Sequence, residues 1–155
     1  MADILDGEQL KRNILSDMRV ELTEEFDKNF ERKAFFTDKW KKRANPNAKG
    51  TLLMVTGTMR RSIKSEVRGN GVRFSSAVPY ASIHNEGGTG TKPVKAHIRR
   101  GKKGKTHKVK AHMRRFKMPQ RQFIGDGERT QEIIKGVISD NLKYFNVQLT
   151  KVLKK

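Results

Sequence analysis

The chain has 155 residues, enough for one domain with a core that needs neither metals nor disulfides. It has no cysteine, which removes disulfides, thiolate metal sites and cysteine nucleophiles together. Lys and Arg number 35 against 16 Asp and Glu, a formal net charge of +19; a chain this basic repels itself and points to an anionic partner, whether nucleic acid, an anionic membrane surface or an acidic protein ring.

Met1 to Glu8 is acidic and lacks the apolar stretch of a signal peptide. No apolar run nears the roughly 20 residues that span a bilayer, so the expected setting is the cytosol or a released particle. A long amphipathic helix is predicted over residues 6–36. Leu10, Ile14, Met18, Leu22, Phe26 and Phe30 recur every four residues and drift slowly round one side of it. Asp6 and Gln9 form a capping signal at its start. Phe35, Phe36 and Trp40 are expected to close one end of the core before the turn-rich Asn45-Pro46-Asn47. Leu52 to Val55 is too short to assign by periodicity, and Thr56 or Thr58 is placed to cap a short helix.

Ile63–Arg68 and Val72–Ala77 read as a β-hairpin about Gly69-Asn70-Gly71, which supplies the positive φ of a tight turn. Ile63, Ser65 and Val67 share one face; so do Val72, Phe74 and Ser76. Pro79 ends the second strand, and Tyr80–Asn85 is a short helix or a further extended piece, ended by Gly87-Gly88. Thr89 to Arg121 holds 13 Lys or Arg and no acidic residue. Within it Val94-Lys95-Ala96-His97-Ile98-Arg99-Arg100 repeats as Val109-Lys110-Ala111-His112-Met113-Arg114-Arg115. The glycine turn Gly101-Lys102-Lys103-Gly104-Lys105 separates the copies, so residues 92–117 are predicted to form a basic β-hairpin arm. Val94, Ala96, Ile98, Val109, Ala111 and Met113 are expected on apolar faces. Lys95, His97, Arg99, Lys110, His112 and Arg114 are expected opposite them. With few apolar side chains to bury, such an arm is expected to be ordered by a partner. A second amphipathic helix is predicted over 126–153, started at Asp126 or Gly127. Its stripe is Ile134, Ile138, Leu142 and Phe145, widened by Ile133 and Val137, with Leu149, Val152 and Leu153 extending the apolar surface.

Chemistry is sparse. Of the four histidines, His107 and His112 are five apart, with no carboxylate in the basic segment and no cysteine anywhere, so no tetrahedral metal set is visible. A nuclease site would need Glu86 or Asp126 brought in from outside. There is no Walker loop, nucleophile elbow or dinucleotide fingerprint, and Gly87-Gly88-Thr89-Gly90 precedes a basic arm rather than a clear helix. The strongest signal is the basic segment: Lys95, His97, Arg99, Arg100, Lys102, Lys103, Lys105, Lys108, Lys110, His112, Arg114 and Arg115 are candidates for contact with DNA phosphates or an acidic partner. Phe116, with Phe123 just beyond the segment, is all the aromatic content available there, which argues against a stacking platform for single strands.

Three short pieces occur in order: Thr56-Gly57-Thr58-Met59-Arg60-Arg61-Ser62-Ile63, then Pro79-Tyr80-Ala81-Ser82-Ile83-His84-Asn85-Glu86-Gly87-Gly88, then Met118-Pro119-Gln120-Arg121-Gln122-Phe123-Ile124-Gly125. In this order they resemble the phage virion morphogenesis family, which takes in tail-completion proteins of P2-like phages and G-like tail proteins of Mu-like prophages. Met59 and Ile124 stand where the family has Leu. The resemblance spans about Trp40 to Leu142. It implies a small α/β subunit of an oligomeric ring at the head–tail junction, with no catalysis and no cofactor. Thr56, Gly57, Ile63, Tyr80, Ala81, His84, Gly87, Pro119, Arg121, Phe123 and Gly125 are then structural motif residues. Gly57 and Gly87 allow tight turns, and Tyr80, Ile83, Phe123 and Ile124 are expected in the core. Arg121 is expected to pair with Glu86 or sit at a subunit contact, and His84 to be a hydrogen-bonded structural histidine.

The expectation is therefore one α+β domain, residues 1–155, with two long helices on a small, mostly antiparallel sheet and a projecting basic hairpin. Its expected role is a virion subunit that completes the tail or forms the neck ring, made in the host cytoplasm. Expected partners are further copies of itself, neighbouring connector and tail-tube proteins, and packaged DNA, with no membrane. The alternative is a nucleic-acid-binding protein that acts non-specifically through the basic arm.

Overall fold

The computed structural model describes residues 6–45, 47–101 and 104–154. Among them the fold is α+β, with four helices and four two-stranded antiparallel pairs. Helix α1 spans Gly7–Arg32 and opens on Asp6, whose Oδ1 accepts the Glu8 amide at 2.9 Å. Gln9 does not complete a capping box; its side chain turns to Asn13 and Arg12. The helix stops four residues short of the predicted end at residue 36. Lys33 adopts φ 54, a left-handed cap whose amide bonds Asn29 O. Ala34–Phe35 (β1) and Asp38–Lys39 (β2) then form a tight hairpin with Phe36 also at positive φ. The Phe36 amide is taken by the Asn29 side chain at 2.9 Å, and the Trp40 amide by Lys33 O at 2.9 Å. The helix gives way here because these bonds fold Phe35 and Trp40 back onto its buried side.

The four-residue stripe is buried only in its second half. Leu22, Phe26 and Phe30 are buried, Leu10, Ile14 and Met18 half-buried, and Leu15 and Asn29 join the buried set. Helix α4 (Glu128–Leu153) runs antiparallel to α1: Ile133 and Ile134 pack with Leu22 and Phe26, while Asn141 donates to Asp17 at 2.8 Å. Its inward side takes in most of the predicted stripe and its flank, with Leu142 as the exception. Val137 and Thr130 are buried, whereas Leu142 is exposed. α4 therefore meets α1 along Ile134 of the stripe and the flanking Ile133 and Val137, with Ile138 and Phe145 half-buried. Leu142, Val147, Val152 and Leu153 remain exposed.

Between the helices lie α2 (Thr58–Arg61), the hairpin β3 (Ile63–Arg68) and β4 (Gly71–Ser76), and α3 (Ala81–Glu86). Arg68 pairs with Gly71, so the loop is Gly69-Asn70 alone. Gly69 takes the positive φ, which is the first-position glycine of a type II′ turn. Phe74 points to the helices, edge-on to Phe26 at 4.9 Å between ring centres. The centre of the core is Phe30, Trp40, Met59, Ala81 and Phe123. Phe123 is fully buried, 5.0 Å from the Phe30 ring, and the Trp40 indole donates to Gln122 O at 2.6 Å.

The basic segment forms β5 (Gly88–Val94) paired with β8 (His112–Met118), then β6 (His97–Arg100) paired with β7 (Thr106–Val109). The register carries through from one pair to the next, so the four strands are a single ribbon from Gly88 to Met118, interrupted at Lys95-Ala96 and Lys110-Ala111. It turns through Gly101 and Gly104, with the Gly101 amide on Lys105 O at 2.8 Å. Paired residues lie on one side of a ribbon, and here Val94 faces His112, His97 faces Val109, Ile98 faces Lys108 and Met113 faces Pro93. The expected segregation into an apolar and a basic face is thereby corrected: the turn sets a register that puts each repeat's valine against the other's histidine.

Candidate functional site

Each of the three motifs supplies one buried residue to the same cluster: Met59 from the first, Ala81 from the second and Phe123 from the third. Gly57 takes φ 67 and leads into α2, where Arg60 forms ion pairs with Asp27 and Glu31 of α1. Those carboxylates raise the Arg60 pKa. The Thr56 hydroxyl accepts only weakly from the Thr58 amide, at 3.4 Å, while Thr56 O holds Arg61 at 2.8 Å. Ile63 is half-buried against the core. Asn85 binds the third motif to the second: its Oδ1 accepts the amides of Phe123 and Ile124 at 2.9 and 3.1 Å. Asn29, fully buried, donates to Phe123 O at 3.1 Å. Neither asparagine was singled out from sequence. The available signal for Asn29 was a polar residue three after Phe26 on an otherwise apolar stripe.

Three expectations are corrected here. Tyr80 is not core: it is 47% exposed and meets the His84 ring edge-on. Arg121 does not pair with Glu86. It is 5% exposed, and its guanidinium donates to Lys41 O at 2.9 Å and Lys42 O at 3.3 Å, because the chain after Trp40 folds back over it. His84 is not anchored through its side chain: the buried Nδ1 has no partner among the described residues. Burial, and then the nearby Arg121 charge, hold its pKa below the usual histidine value. The link at His84 is instead through the main chain, whose carbonyl accepts the Arg121 amide at 2.8 Å. Beside it Gly87, at φ 75, leaves no room for a side chain, since a Cβ would sit 2.8 Å from the Gln120 nitrogen. Gly125 takes φ 142, and Pro119 is half-buried beside the ribbon's base. The motifs thus form a fold junction. Among the described residues no cluster of His, Asp or Glu could hold a metal, and no helix is long and apolar enough to cross a membrane.

The basic ribbon leaves that junction. Lys95, His97, Arg99, Arg100, Lys105, Lys108, Lys110, His112, Arg114 and Arg115 are all exposed; Lys102 and Lys103 lie outside the described residues. The two repeats make the same local bond: His97 Nδ1 meets Lys95 O and His112 Nδ1 meets Lys110 O, each at 2.9 Å. These are the positions at which the ladder is interrupted. Phe116 lies over Gly90, where a Cβ would come within 2.7 Å of its ring, and Ile98 and Met113 are 69% and 61% exposed. Among the described residues, no ribbon Lys or Arg forms an ion pair within the chain. Lys92 stands directly opposite Arg114, a pairing that weakens a ribbon. The arrangement can offer positive charge along a narrow strip to an anionic surface.

Residues 6–143 match the family model for the phage virion morphogenesis family. No curated protein and no solved structure gives a significant match.

Proposed function

The chain belongs to the phage virion morphogenesis family, and from that we propose that it is a structural subunit that completes the tail or forms the neck ring joining head to tail. The observation that carries the reading is the match over residues 6–143, which takes in all three motifs of the core junction. In this reading the helices and junction form a rigid body, and the ribbon reaches a neighbour in a homo-oligomeric ring set between connector and tail-tube proteins. No catalytic step or cofactor belongs to it. Subunits assemble in the host cytoplasm and remain in the particle. Loss of the gene product is expected to leave filled heads and finished tails that fail to join, or tails of faulty termination, seen by electron microscopy of lysates. Normal infectious particles from such a deletion would remove the reading.

The thirteen basic residues of the segment, without an acid among them, favour one rival: a free protein that grips nucleic acid without reading sequence. Sedimentation separates the two. A ring is expected here, whereas the rival requires a monomer with tight, salt-sensitive DNA binding.

A further inference from the structure

We propose that the basic ribbon of one copy lies along the outer face of the α1/α4 pair of a second copy. This rests on the homo-oligomer reading above and names the two surfaces that meet. The charge is divided unevenly between them: eight of the 16 acidic residues fall between Asp6 and Glu31, against none from Thr89 to Arg121. Asp17, Glu21 and Glu24 follow one another at helical spacing on α1; all three are exposed, and among the described residues none is in an ion pair. Across the groove, Asp140 and Tyr144 of α4 line the same depression as Asp17. Val147 continues their line, and Tyr144 and Val147 are 65% and 51% exposed.

The face therefore has an acidic stretch and an apolar stretch. The ribbon carries cations that, among the described residues, are in no ion pair, together with exposed Ile98 and Met113. Sizes agree as well. The thirteen residues from Gly88 to Arg100, eleven of them in strands, extend about 40 Å at roughly 3.3 Å each, and a 26-residue helix is about 39 Å long. A two-stranded ribbon with like charges opposed is marginal alone. Asp17, Glu21 and Glu24 supply the opposite sign along its length, while exposed apolar side chains on each surface are covered by the other.

The test uses the full chain, whose lack of cysteine makes introduced thiols unique. One preparation carries Met113→Cys, a second Tyr144→Cys, and a control Glu66→Cys on the β3–β4 hairpin. Mixed and treated with a short bismaleimide, the first two are expected to give a two-chain product. That product should exceed the one from Met113→Cys with Glu66→Cys by roughly ten-fold. In parallel, Glu21→Lys with Glu24→Lys, and separately Lys110→Glu with Arg114→Glu, are each expected to weaken self-association about ten-fold or more by sedimentation. Combining both pairs in one chain should restore it. If the wild type assembles but neither cross-linking nor the helix reversals behave this way, the docking is overturned and the oligomer reading stands. If the wild type stays monomeric at all concentrations, both fall. If the ribbon reversals abolish DNA binding and leave assembly intact, the ribbon faces nucleic acid and the docking is overturned.

Discussion

Arg121 is a buried cation held by main-chain oxygens, with no carboxylate partner among the described residues. Its removal therefore costs hydrogen bonds and packing more than charge. Arg121→Met is expected to destabilise the protein by about 1–3 kcal/mol in urea unfolding, because the Lys41 and Lys42 carbonyls lose their donors. An unchanged midpoint would mean that water replaces the guanidinium at no cost. His84 gives a pH dependence whose sign follows from its lowered pKa. Below the ordinary value of about 6.5 the unfolded chain takes up a proton that the folded one resists, so stability falls as pH drops through that range. The urea midpoint is expected to decrease from pH 7.5 to 5.5, and His84→Gln should flatten that part of the slope; an equal slope in the variant would place the dependence elsewhere. Of these two residues, sequence showed that both belong to motifs. It did not show Arg121's partners, which are backbone atoms some 80 positions away and leave no trace in residue type.

At the scale of elements, the two long helices and the β3–β4 hairpin were legible because periodicity and Gly69-Asn70-Gly71 are local signals. The end of α1 was not. Phe35 and Phe36 continue the apolar content of the helix, and the stop comes from Asn29 capturing the Phe36 amide. The buried side of α4 was legible in part: Ile133, Ile134 and Val137 turn inward as the apolar pattern indicates, whereas Leu142 stays exposed. The ribbon's pairing could be guessed from the repeat, but its register could not. A shift of one residue exchanges every facing pair, and the interruption at Lys95-Ala96, where the His97 imidazole meets Lys95 O, has no signal in the repeat. Deleting residues 100–107 is expected to leave the helical circular dichroism and the thermal midpoint almost unchanged, since all apolar clusters lie outside them. Loss of the helical signal would make the ribbon's end part of the core.

For the whole molecule, charge and fold are arranged separately: the core has the acidic α1 against it, and the excess of cations sits on the ribbon. Replacing Lys95, Arg99, Lys110 and Arg114 with Gln lowers the net charge by four and touches no buried residue. Assembly is expected to fail in sedimentation while much of the non-specific DNA affinity survives on the remaining cations. The reverse outcome, intact assembly with a salt slope flatter by about one logarithmic unit per lost contact, would favour the nucleic-acid reading. The closure at the foot of the ribbon has a different consequence. Gly87 against Gln120 and the Arg121 amide on His84 O already hold the two ends together, so the domain experiences everything from Gly88 to Met118 as one closed loop. The entropy of closing a loop grows only with the logarithm of its length, about 0.6 kcal/mol for each doubling. Residues can therefore be added to or taken from the ribbon at almost no cost to the stability of the body. Its length is free to follow the distance to whatever it must reach, while the junction beneath it stays the same.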